Sequence, residues 1–352
     1  MKSPIEYSST VEKLPRSCVK INVEVKPEAL TKSRAQALAT LLSQAELPGF
    51  RKGHVPEKVF IERVGEQYVL EEGAESIVNE IYPYIIADHK LPIIGRPKIS
   101  LTKVVAGNPF EFSIEVAIIP EFKLPDYRAV AKEITSKPQP EFSVTDKEVV
   151  AVLEEIQHSL YHREHPEDHS HDHDSAKLAA LDDSFAQKVG NFKNLDELKE
   201  KIKENLILEK KHKEAEKRRI ELVDTLVSKT DVEIPEVLIE SELQKLWANF
   251  DADIARMGLD LKEYLTRVKK TEEELKKEWY PDAQKRAVFE LLISAIATKE
   301  KIVADEALVT KEVDALLEQY KGADRNRAQV YVENLHITGK VFELLEGTTD
   351  SK

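Results

Sequence analysis

Apolar and polar residues alternate along residues 17–25: Val19, Ile21, Val23 and Val25 fall on one side, Lys20, Asn22 and Glu24 on the other. A period of two predicts a half-buried strand. The period then lengthens. Pro27 stands where a first helical turn tolerates it, and Leu30, Ala37, Leu38, Leu41 and Leu42 give residues 29–45 one apolar helical face. A turn-rich stretch follows over 47–56, then two helical stretches, 57–64 and 66–88. Two prolines and a glycine make 91–97 a loop. Residues 99–105 and 110–119 read as strands, joined by a hairpin at Gly107-Asn108. This order predicts an α+β domain over 1–119.

The pattern changes at Pro120. With Pro125, Pro138 and Pro140 it predicts an extended linker over 120–142, with some strand content. Thr145-x-x-Glu148 is a capping box opening a helix to about residue 162. Residues 165–174 are a polar tract without the apolar residues a core needs. Beyond Leu178 nearly everything is helical. Asn194-x-x-Glu197 starts a helix with Leu198, Ile202 and Leu206 on one face; its middle, 209–219, is almost all charged and predicts a solvent-bridging segment. The apolar face resumes at Ile220, Val223 and Val227. Helices are then predicted from Pro235 to about 256, over 261–268 after the break at Gly258, from the capping box Thr271-x-x-Glu274 to about 302, and over 305–320 and 324–345. The second part is thus an elongated all-α domain over 143–346 with helical arms, interrupted by a His-rich loop at 163–177 and followed by a disordered tail at 347–352.

Composition narrows the function classes. A length of 352 residues suggests two or three domains. Charged residues make up 33% and only 11 are glycine, which suits long, solvent-washed helices. A net charge of -13 leaves no broad attraction to nucleic acid, so any RNA contact must come from a small local patch. One cysteine, Cys18, rules out an intramolecular disulfide and fits a reducing compartment. Residues 1–16 hold no apolar run like a signal peptide, and the longest apolar stretch, 291–297, is far below the ~20 residues of a membrane helix. A cytoplasmic location is expected, with no membrane partner.

The segment Gly49-Phe50-Arg51-Lys52-Gly53-His54-Val55-Pro56 is the most informative. Glycines flank one aromatic and two cations between helices. They permit a tight tip; Arg51 forks onto carboxylate or phosphate, and Phe50 can anchor in a pocket. On composition alone an ordinary exposed loop remains open. Six histidines, His158, His162, His165, His169, His171 and His173, mark a second candidate. His158 and His162 are four apart on one helical face, a spacing that can chelate a divalent ion. The tract has little to fix ligand geometry, so it reads as a solvated loop taking up metal incidentally rather than a dedicated site. No phosphate loop, nucleophile elbow, paired-His protease motif or Cys-x-x-Cys occurs, and no cofactor is expected. Pairs such as Glu272/Lys276 and Glu273/Lys277 read as surface ion pairs.

The tip segment resembles the ribosome-binding signature of bacterial trigger factors. His54 stands where that signature usually has Lys or Arg, which would weaken docking or make it pH-dependent, imidazole being mostly neutral at pH 7. The resemblance continues in family order: Pro120-Glu121-Phe122-Lys123-Leu124-Pro125, Leu181-Asp182-Asp183-Ser184-Phe185-Ala186, Val232-Glu233-Ile234-Pro235-Glu236, and Met257-Gly258-Leu259-Asp260-Leu261-Lys262-Glu263-Tyr264-Leu265. In the family an FK506-binding-protein-type prolyl isomerase domain precedes Leu181. Here only 163–180 occupy that place, too few for a strand-rich domain. The resemblance therefore implies an ATP-independent chaperone rather than an isomerase. It implies docking beside the ribosomal exit tunnel through Gly49, Phe50, Arg51, Lys52, Gly53, His54 and Pro56, against a ribosomal protein, with ribosomal RNA as a second contact. Nascent chains would be the clients and self-dimerisation is implied off the ribosome. The arm residues Phe250, Met257, Leu259, Tyr264 and Leu265 are the expected client surface, with ordinary helix–helix core as the competing reading. A ribosome-independent holdase, a cryptic isomerase and a metal-binding protein are the alternatives.

Overall fold

A computed structural model describes residues 3–164 and 180–347. Contacts divide the chain into two compact units, each drawn from two stretches: 1–124 with 230–298, and 125–229 with 299–352.

In the first unit, strands β1 (Tyr7–Leu14), β2 (Cys18–Val25), β3 (Ile93–Lys103) and β4 (Phe110–Ile118) form an antiparallel sheet in the order β1-β2-β4-β3. The alternation predicted for β2 is realised: Val19, Ile21, Val23 and Val25 are buried. They meet Val116, Ile114, Phe112 and Phe110 across the ladder. Helices α1 (Pro27–Gln44) and α3 (Glu66–His89) pack together, and α3 joins this core through Ile77, Ile81 and Ile85. Each such side chain stabilises the unit by about 1.5–3 kcal/mol on full burial. Gly73 sets how closely the two helices approach: a Cβ there would lie 2.9 Å from the Arg34 backbone nitrogen, and its carbonyl accepts from the buried Ser33 hydroxyl at 2.8 Å.

Two strand boundaries differ from expectation. β1 has no apolar alternation to announce it. It is an edge strand, mostly exposed, defined by pairing with β2 through a turn that puts Arg16 and Ser17 at φ 57° and 51°. β3 begins at Ile93, inside the stretch predicted to be loop. Pro97 is tolerated because β3 is also an edge strand, and the ladder slips register between Ile94 and Lys98.

The first unit also contains α8 (Glu236–Arg256), α9 (Leu261–Val268) and most of α10 (Glu272–Glu300). Asp260 caps α9 through the Lys262 and Glu263 amides, and the Thr271/Glu274 box closes in both directions at 2.9 and 3.2 Å. The predicted break at Gly258 is real, at φ +74°.

The second unit holds α4 (Tyr127–Thr135), α5 (Asp146–Glu164), α6 (Asp183–Val189), α7 (Leu195–Ser228), α11 (Glu306–Gln319) and α12 (Arg325–Glu346). As expected, the helix after Thr145 packs with those after Leu181: Val149, Leu153, Phe185, Ala186, Leu198 and Ile202 share one core. The extended linker is corrected. Its prolines flank residues 127–135 rather than interrupt them, Asp126 caps the Ala129 amide at 3.0 Å, and Tyr127, Val130, Ala131 and Ile134 bury a helical face against α7 and α12. The second half of α7 is corrected too. Leu222 and Leu226 are its buried residues, whereas Ile220 is 62% exposed. Its charged middle is partly engaged, with Arg218 donating to the Lys137 and Pro138 carbonyls and to Glu214. Residues 165–179, which include most of the predicted His-rich loop at 163–177, and residues 348–352 of the predicted tail lie outside the described residues.

Candidate functional site

The 49–56 segment is a folded tip over a core of its own. α1 ends at Gln44 with Ala45 as its extended cap, and α2 (Glu57–Val64) starts after Pro56. Between them three backbone hydrogen bonds close the turn: Phe50 N–H to Leu47 O at 3.0 Å, Gly53 N–H to Ala45 O at 3.0 Å and His54 N–H to Arg51 O at 2.9 Å. Gly49 and Gly53 take φ of +92° and +79°, the left-handed region where a side chain is strained. Val55 turns inward and packs with Leu38, Ala45, Phe60 and Val69.

This inner packing leaves the chemistry outside. Phe50 is 39% exposed, a large aromatic in water at the tip. Arg51, Lys52, His54 and Pro56 are exposed beside it. Arg51 and Lys52 form no ion pair or side-chain hydrogen bond among the described residues, whereas nearby Arg34 is held by Glu66 at 2.5 and 2.9 Å. Two cations and an aromatic ring thus stand together, with their interactions unspent. Such a surface suits a partner offering carboxylates or phosphates around an apolar pocket.

The arm residues separate into two groups. Met257 and Leu259, 64% and 43% exposed, flank the Gly258 break. Phe250, Tyr264 and Leu265 are half-buried. Phe250 meets Tyr264 and Trp279 edge-on at centroid distances of 5.6 and 5.3 Å, and Trp247 lies 6.0 Å from Trp279. The sequence reading missed Trp247 and Trp279, although both tryptophans of the chain meet here. Their separation of 32 positions hid the cluster; aromatics at the facing ends of two helices joined by a short one were the available signal. Lys276 lies over the Trp247 ring at 5.5 Å.

Of the six histidines, His158 and His162 are on α5, and His162 packs edge-on against Tyr161 at 6.1 Å. His165, His169, His171 and His173 lie outside the described residues. No group of three potential metal ligands occurs among the described residues. Among those residues, no helix is long and apolar enough to cross a membrane.

Comparison with known proteins gives two matches, the first running into α5 and the second starting just before α7. Residues 7–156 match the model for the bacterial trigger factor protein, and residues 194–346 match the model for its C-terminus. The trigger factor of Carboxydothermus hydrogenoformans is 27% identical over 393 residues, covering 89% of this chain and 91% of that protein. That of Moorella thermoacetica is 25% identical over 413 residues, covering 93% and 89%. Both alignments exceed the length of this chain, so these relatives carry inserted length that it does not. A solved structure reported as "Promiscuous Substrate Recognition in Folding and Assembly Activities of the Trigger Factor Chaperone" superposes with a TM-score of 0.55 at 18% identity, covering 97% of this chain and 100% of that one. At that identity the likeness speaks for the fold.

Proposed function

The chain belongs to the bacterial trigger factor family, and on that premise we propose that it is a ribosome-associated, ATP-independent chaperone that shields apolar segments of nascent chains. The observation that carries this reading is the exposed Phe50-Arg51-Lys52 tip, whose cations have no partners among the described residues. The ring enters a pocket beside the exit tunnel, and the cations take carboxylates of a ribosomal protein or phosphates of RNA. Gly49, Gly53 and Pro56 shape the tip, and His54 adds a weaker cation than the Lys or Arg usual there.

Clients are held at Phe250, Met257, Leu259, Tyr264 and Leu265, together with Trp247 and Trp279. Exposed methionine and loosely stacked aromatics give shallow, adaptable contacts, and such binding is weak enough to release a folding chain. Release needs no nucleotide, because holding is a mass-action equilibrium. The protein acts by binding and not by turning over prolyl bonds: the family matches leave only 157–193 between them. It works in the cytoplasm, partly on ribosomes, with a dimer as the resting form away from them.

Ribosome co-sedimentation tests the docking. The wild type is expected to pellet with ribosomes, less so at high salt, and a Phe50/Arg51/Lys52→Ala variant to stay in solution. Equal pelleting by both sinks the assignment of the tip. If neither pellets while unfolded protein is still protected from aggregation, the ribosome-independent holdase is the correct reading, supported by an aromatic arm cluster that does not involve the tip. A protease-coupled proline-turnover assay is expected to stay at background.

A further inference from the structure

The second unit contains a cleft of about 370 Å³ between α4, the segment after it and α7. That volume lies in the range of sites that take small ligands, roughly 300–1,000 Å³. Its floor is apolar: Ile134 and Leu222 are buried and Phe142 is half-buried, while the exposed Ala215 lines it from α7. On α7, Lys211, Ala215, Arg218 and Leu222 are spaced four, three and four apart and so share one face.

The cleft is built rather than incidental. Arg218 donates to Glu214 at 3.1 Å and to the Lys137 and Pro138 carbonyls at 3.1 and 2.9 Å, tying the segment after α4 to α7 as a wall. Arg219 forks onto Glu346 at 2.7 and 2.9 Å while its guanidinium lies 4.5 Å from the Phe342 ring centroid. The lining charges therefore cancel in fixed pairs, with one exception. Lys211 has no ion pair or hydrogen bond among the described residues, and it stands at the edge of an apolar floor.

We infer that this cleft is a client subsite for an apolar side chain followed by a carboxylate: the apolar group rests on Ile134, Phe142 and Leu222, and the carboxylate meets Lys211. The inference deepens the client-holding reading and rests on it for the source of the peptide. It concerns residues remote in sequence from both the tip and the aromatic arm cluster.

Calorimetric titration of the full chain with short acetylated, amidated peptides built on Leu-Phe-Asp, and on Leu-Phe-Asn, tests it. An exposed charge contact is worth up to about fivefold in affinity, so the Asp peptide is expected to bind about that much more tightly than its Asn twin. Lys211→Ala should abolish that preference and leave the Asn peptide unchanged. Ala215→Trp, an exposed helical position whose new ring fills the cleft, should weaken both. Circular dichroism of each variant checks that the helices are intact. An Asp preference that survives Lys211→Ala, wild-type affinity in Ala215→Trp, or no binding by the wild type overturns the subsite. Aggregation suppression by the wild type is measured alongside: if it holds while the peptide result fails, only the subsite falls, and if it is absent the chaperone reading falls with it.

Discussion

The geometry of the tip can be tested by comparing its two glycines. Both lie in the left-handed region, at φ +92° for Gly49 and +79° for Gly53, so alanine at either costs about 1–2 kcal/mol of backbone strain. Their surroundings differ. A Cβ on Gly49 meets nothing within 4 Å, whereas one on Gly53 lies 2.9 Å from the Ser43 carbonyl oxygen. That oxygen belongs to the backbone of α1, so it cannot swing aside as the end of a side chain would. The added overpacking is about 1–3 kcal/mol. Relief requires the 49–53 turn to lift, which breaks the Gly53 N–H to Ala45 O bond. The strain is local, because the sheet core of the unit does not depend on the tip, and it should appear as local opening rather than global unfolding. Hydrogen exchange at the hydrogen-bonded Phe50, Gly53 and His54 amides is the assay. Gly53→Ala should raise their opening equilibrium above that of Gly49→Ala by about 5- to 150-fold, the equivalent of that extra 1–3 kcal/mol. Ribosome pelleting should fall in the same order. Equal opening in the two variants would refute the close approach of Gly53 to α1.

Three other perturbations have definite signs. Gly73→Ala gains roughly 1 kcal/mol of helix propensity, but its Cβ meets the α1 backbone at 2.9 Å, and overpacking of about 1–3 kcal/mol wins; urea unfolding followed by circular dichroism should show lower stability, and a stabilised variant would contradict the helix contact. The Glu148 carboxyl is held down to about 2, from its usual 4.5, first by its hydrogen bond to Lys210 and then by the Thr145 cap. Its stabilising effect is therefore complete above about pH 4.5 and lost as pH falls toward 2, so the acid-induced loss of helix in that window should shrink in Glu148→Gln. Both tryptophans sit in the arm cluster, so selectively excited tryptophan emission reports on α8–α10 alone; a tryptophan-free unfolded peptide should shift it, Phe250→Ala should weaken that response, and an unchanged spectrum on saturation would remove the cluster from the client surface.

How legible these features were depended on where their determinants lie. The strands buried on one face, β2 and β4, announced themselves because alternation is a local record of burial. β1 did not: its side chains are mostly exposed, and what defines it is the neighbour it pairs with, a non-local fact. α4 is masked in the sequence by the prolines on either side of it, each of which favours extended backbone where it stands. Pro125 precedes the cap and Pro138 follows the last turn, both compatible with the apolar spacing of Tyr127, Val130, Ala131 and Ile134. The same reasoning applies to the sites. The tip was readable as contiguous residues, whereas the cluster of Trp247, Phe250, Tyr264 and Trp279 forms only when three helices meet.

Charge links these parts to a working cycle. On the proposed docking, a chain of net charge -13 would be repelled by ribosomal RNA over most of its surface, and attraction would be concentrated at Arg51 and Lys52, which have no acidic partners among the described residues. Two cations and one aromatic ring make a small interface, and its electrostatic part is screened at physiological salt, where the Debye length is about 8 Å. The proposed docking is therefore expected to be specific in position yet quick to release. Replacing acidic residues elsewhere with neutral ones should tighten ribosome association and steepen its salt dependence only if the net repulsion is felt at the tip, because salt then no longer relieves a repulsion while it screens the attraction. If it is not, the tip alone sets the affinity, and variants with less negative net charge will pellet with ribosomes as the wild type does.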